Sequence, residues 1–99
     1  MTYKIILRPE AESDLFNTYL WYHEITPSLG IDFLRSVDAS LIIAQRYPFS
    51  FPRVHKQIRR ALLRRFPYGL FYFVHKRKII VLACFHFKRD PQQILVRLQ

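Results

Sequence analysis

Apolar and polar positions along this chain change their period twice. Tyr3–Leu7 (YKIIL) is a short β-branched and aromatic run stopped by Arg8-Pro9, which predicts a strand. From Pro9 the apolar positions spread to three- and four-residue steps: Ala11, Leu15, Thr18/Tyr19, Tyr22 and Ile25. That stripe predicts a helix from Pro9 to near Glu24. Proline suits a first helical turn, and Glu10, Glu12 and Asp14 complement the positive end of the helix dipole. Thr26-Pro27 reads as an N-cap and first position of a second helix, whose stripe is Leu29, Phe33, Val37, Leu41 and Ala44, broadened by Leu34 and Ile42. It stops before Pro48.

Tyr47–His55 (YPFSFPRVH) has two prolines and no period, which predicts a loop. Strand-forming runs then follow at Lys56–Phe66, Gly69–His75 and Lys78–Lys88, parted by Pro67–Gly69 and by the basic turn His75–Lys78. Pro91 cannot continue a central strand, leaving Gln92–Gln99 as a short tail. The order is β-αα-βββ. It predicts one α+β domain over residues 1–99: a two-layer sandwich with a mainly antiparallel four-stranded sheet, one face covered by a helical hairpin. If the first strand pairs with Lys56–Phe66, it should do so antiparallel.

Side chains alternate across a strand, so Ala61 and Leu63 face the helices while Arg60, Leu62 and Arg64 point away. Arg59 and Arg65 sit toward the ends of the same run. His86 and Lys88 share one face of the last strand, with Arg89 just beyond. Flanking the middle strand, these groups are expected to converge on one basic concavity.

Charge sharpens that expectation. The net charge of +9 is not spread evenly: residues 1–52 hold four bases against six acids, and residues 53–99 hold twelve bases against Asp90 alone. Segregated positive charge points to an anionic partner. A single cysteine, Cys84, rules out an intramolecular disulfide and reads as a small apolar residue of a buried strand. No long apolar segment opens the chain or spans a membrane, so a cytoplasmic location without a membrane partner is expected. His23, His55, His75 and His86 have no metal-ligand spacing, and two glycines are too few for a phosphate-cradling loop. No metal or cofactor is expected. What remains is Arg and Lys with His86 and tyrosines, which can clamp phosphates and stack bases. With His86 carrying a proton and Arg60, Arg64 and Arg89 stabilising charge, that set could promote attack of an RNA 2′-hydroxyl.

Several stretches resemble the RelE/ParE superfamily of type II toxins: Arg8-Pro9 with Ala11, Thr26-Pro27, Ile58 to Tyr68 (IRRALLRRFPY), Leu70-x-Tyr72-x-Val74, and Val81 to Pro91 (VLACFHFKRDP). The resemblance covers almost the whole chain. It implies a bacterial toxin of a plasmid-stabilisation type module, held in a hetero-oligomer by a co-expressed antitoxin. RelE-like members cleave mRNA on the ribosome with basic strand residues and a C-terminal tyrosine. Here Arg60 matches one basic position and Arg89 the last, but Leu62 and Gly69 stand at two others, and no tyrosine follows Pro91. Those departures favour the ParE-like branch, whose members poison DNA gyrase and are not enzymes. Target or phosphate contacts would then come from Arg59, Arg60, Arg64, Arg65, Lys88 and Arg89. Antitoxin contacts would come from the outward Leu62, Phe71 and Phe73, with an acidic, partly disordered antitoxin segment. Beside gyrase, the ribosome with its mRNA is the alternative target, and a non-toxic nucleic-acid-binding module of the same fold is a third reading.

Overall fold

The computed structural model describes residues 2–90 and 92–98. Along the chain run β1 (Lys4–Leu7), α1 (Pro9–Ile25), α2 (Pro27–Arg46), β2 (Arg53–His55), β3 (Ile58–Leu62), β4 (Tyr68–His75), β5 (Lys78–His86) and α3 (Gln93–Arg97). Pro9 and Pro27 occupy the first turns of the two long helices, as their missing N–H groups allow. Between the helices Thr26 is extended. Its N–H donates to the Tyr22 carbonyl (3.1 Å) as α1 ends, and its carbonyl accepts the Leu29 N–H (3.0 Å) as α2 begins. Thr26 holds the expected cap position, but its hydroxyl makes no cap bond. The helices approach closely at Gly30, where a Cβ would lie 3.0 Å from Tyr19 Cε1 and 3.1 Å from the His23 Cβ.

The α+β two-layer architecture is the expected one, with a fifth strand. The sheet order is β1-β5-β4-β3-β2. β1 lies parallel to β5 (Lys4 beside Lys78, Leu7 beside Val81) and does not touch β3. The helical hairpin does return the chain to its starting edge, where Gln45 Nε2 donates to the Tyr3 carbonyl at 3.0 Å. After α2 the loop crosses the sheet, where the buried Tyr72 of central β4 donates to the Pro48 carbonyl at 2.7 Å, and the chain is delivered to the opposite edge. There Arg53–His55, expected as loop, forms edge strand β2 against β3, directly after Pro52, which an edge tolerates. β3 is shorter than expected, because the chain leaves the sheet after Leu62. The Leu63 N–H still reaches back, to the Tyr68 carbonyl at 2.8 Å.

Two buried clusters result. Leu15, Tyr22, Phe33 and Val37 of the helices pack on Ala61, Leu63, Leu70, Tyr72 and Val81. A smaller cluster on the other face joins Ile58, Phe71, Leu82 and Phe85 to Ile94 of α3, within the segment expected to be a tail. Pro91 and Gln99 lie outside the described residues. No helix among the described residues is long and apolar enough to cross a membrane.

Candidate functional site

A β-bulge in β5 sets the geometry of the site. Phe71 is opposite Ala83 and Tyr72 opposite Val81, so Leu82 is one residue more than β4 can match. Before the bulge Ile79 and Val81 face the helices; after it Cys84 faces them, while Leu82, Ala83 and Phe85 join the other cluster. His86 thereby lands on the helix side, the opposite of what uninterrupted alternation gives.

β1 ends beside Val81, so the next stretch of β5 has no strand along its edge. Asp14 of α1 takes that role. Its Oδ2 accepts the Cys84 N–H at 2.9 Å and Arg97 Nη1 at 2.7 Å, and its Oδ1 accepts Arg97 Nη2 at 2.9 Å. Arg97 Nη1 also donates to the Leu82 carbonyl at 3.2 Å. The pair is mostly buried and ties α3 to α1 across the sheet edge. Arg97 and Arg89 both lie over the Phe85 ring, 4.8 and 3.9 Å from its centroid, and Arg89 Nε donates to Gln93 Oε1.

Beside this lock opens a polar cleft of about 310 Å³, lined by Asp14, Asn17, Thr18, Tyr68, Cys84, His86 and Arg89. His86 Nδ1 accepts the Lys88 N–H at 3.1 Å, so in the neutral ring the proton is on Nε2. The ring stacks on Phe87 and meets Tyr68 edge-on at 5.2 Å. Burial raises the Tyr68 hydroxyl above its ordinary value. Burial, with the Asp14 carboxylate adding to it, pushes the Cys84 thiol up to about 12, which keeps it protonated and unreactive at neutral pH.

The other expected residues do not join His86 and Arg89. Arg59 donates to the Phe49 and Phe51 carbonyls (2.9 and 2.6 Å) and lies over the Phe49 ring, so it braces the loop before β2. Arg60 points to the face away from the helical hairpin, its stem across Gly69, where a Cβ would come within 2.9 Å of Arg60 Cγ. Arg60 Nε is buried and has no hydrogen-bond partner among the described residues. Arg64 and Arg65 lie in the bend after β3, against α2: the Arg64 carbonyl accepts Ser36 Oγ, and Arg65 pairs with Asp32 at 3.7 Å. Lys88 is exposed beside Phe87. The single basic concavity does not form, because the bulge inverts His86 and the bend carries Arg64 and Arg65 out of the sheet. Of the apolar contact candidates Leu62 is exposed and Phe73 half-buried, whereas Phe71 is buried in the cluster that α3 closes. The Asp14–Arg97 lock was invisible in the sequence: its partners stand 83 residues apart, and only the bulge creates the edge they fill.

No protein-family model matches the chain, and no curated protein does. Among solved structures, a chain from "Chromosomal ParDE TA system from P. aeruginosa" is similar in fold, with a TM-score of 0.74 and 17% sequence identity, over 85% of this chain and 95% of that one. The α+β layering expected from the spacing of the sequence is present, with five strands in place of four, and this chain shares its fold with that ParDE chain.

Proposed function

We propose that this chain is the toxin of a type II toxin–antitoxin module, of the ParE type, and that it arrests growth by protein contacts with DNA gyrase. The carrying observation is the fold held in common with the ParDE chain across 85% of the molecule, helical hairpin and sheet together. The position of the basic groups supports the non-enzymatic branch. Arg60, Arg64 and His86, the groups an RNA-cleaving site would need to gather, stand on three different surfaces. An acidic antitoxin segment that orders on the toxin fits the excess of twelve bases over one acid in residues 53–99.

One preparation of the toxin tested in a gyrase supercoiling assay and in a ribosomal A-site mRNA cleavage assay decides the target. Loss of supercoiling without mRNA cleavage is expected. Cleavage that His86→Ala abolishes would replace this reading with a ribosome-dependent mRNA interferase. The cleft that joins His86 to Arg89 and Tyr68 is the feature that favours that second reading. Induced expression that leaves growth untouched would overturn both and leave a nucleic-acid-binding module.

A further inference from the structure

We propose that the end of the sheet where its hairpins turn is a docking surface for the phosphate backbone of a nucleic acid, with Lys4, Lys56, Lys76, Arg77 and Lys78 as its cations. The registers bring these residues to one rim. Lys4 begins β1 beside Lys78, the first residue of β5, and His75 closes β4 against the same Lys78. β3 runs antiparallel to β4 with Arg59 opposite Tyr72, so the turn before β3, at Lys56-Gln57, stands next to the end of β4. With about 4.8 Å between neighbouring strands, the rim from β1 to β3 is about 14 Å long. Duplex DNA presents one negative charge per about 1.7 Å of its axis, so several phosphates lie within that reach.

All five cations are exposed, and among the described residues none of the four lysines enters an ion pair. Every carboxylate of the chain lies on α1, on α2 or after β5, so the strands and turns that build the rim carry no negative charge. Arg77 is laid over the Tyr3 ring at 4.8 Å, which fixes where its guanidinium stands.

The backbone adds an independent sign. Lys56, Lys76 and Arg77 hold φ of 48°, 48° and 62°, the left-handed region that glycine or asparagine occupies at lower cost. Neither glycine of the chain is used there. Long cations kept at strained turn positions point to a use for their charge. The β4–β5 turn exposes only polar and cationic side chains, and the apolar hollow of Ile58, Phe73 and Leu98 begins beyond Lys56. Protein interfaces centre on apolar or aromatic anchors, so the stretch from Lys4 to the β4–β5 turn suits phosphates better than an acidic protein.

The inference is separate from the proposed toxin activity, because binding is measured without gyrase or antitoxin. Fluorescence anisotropy of the full chain with a labelled 20-bp duplex (length about two helical turns) and with single-stranded RNA would be followed across salt. Affinity for at least one of them should fall steeply with salt. In Lys76→Gln/Lys78→Gln the slope on duplex should be shallower by about 2, since each phosphate left without its cation removes roughly 0.9. Arg8→Gln/Arg35→Gln, with the same net charge and both sites away from the rim, should keep the original slope. Circular dichroism would confirm that both variants fold. Equal loss in the two variants, or no binding to either nucleic acid, would overturn the proposal. So would displacement of the nucleic acid by polyglutamate at equal charge concentration, which would assign the rim to an acidic protein.

Discussion

Asp14 shows how one side chain can fix several elements. It satisfies a backbone N–H at the naked edge of β5 and both terminal nitrogens of Arg97. Removing one partner of a mostly buried pair leaves the other charge without compensation. Asp14→Ala should therefore cost about 3 kcal/mol in urea unfolding. In an Arg97→Ala background the added cost should be much smaller, and additive losses would show that the two do not act as a pair. Gly69 makes a second test. Gly69→Ala forces the Arg60 stem to move, with an expected loss of about 1–2 kcal/mol, most of it absent in Arg60→Ser. Burial pushes both the Cys84 thiol, ordinarily at 9.0, and the Tyr72 hydroxyl, ordinarily at 10.0, up to about 12. The unfolded chain loses these protons first. Their contribution to stability is thus complete below about pH 9 and is lost as pH rises toward about 12. The urea midpoint should fall between pH 8 and 11, less steeply in Cys84→Ala; equal slopes in the two proteins would remove Cys84 from the account.

At the scale of elements, the bulge and the turns decide more than propensity does. The helices were legible because Ala11, Leu15, Tyr22 and Phe33, Val37, Ala44 follow a helical period and each helix opens on a proline. β4 and β5 were legible from their unbroken β-branched and aromatic runs. The bulge at Leu82 was not, because an extra residue inside an apolar run leaves no break in the pattern, and Cys84, His86 and Phe85 change sides without notice. The β4–β5 hairpin turns on Lys76 and Arg77, both at positive φ, the arrangement of a type I′ turn that favours Asn-Gly. Lys76→Asn should raise stability by up to about 1 kcal/mol, or roughly 4–8 °C in Tm, while weakening nucleic-acid binding. A lower Tm would show that the lysine stem contributes packing that the backbone cost conceals.

Across the whole molecule, the basic half of the sequence is divided among separate surfaces, with Arg89 and Arg97 at the β5 edge as one of them. Arg60 lies on the sheet face, Arg64 and Arg65 border α2 at one end, and the lysines of the hairpin rim stand at the other. An acidic antitoxin segment crossing any of them should bind with an affinity that falls with salt, measurable by titration calorimetry between 50 and 300 mM salt (about one to two halvings of the Debye length). An affinity indifferent to salt would place the contact on apolar groups such as Leu62, which is exposed.

The sequence alone determined the layer architecture, the two helices with their proline starts, the central hairpin and the surplus of positive charge. Each of these is written in local spacing or in composition, where neighbours along the chain are enough. Tertiary structure alone decided the edge on which β1 pairs, the fifth strand, the side to which His86 turns and the Asp14–Arg97 lock. Those depend on which backbone groups stay unpaired once the sheet has closed, and such groups are known only when residues far apart in sequence have met.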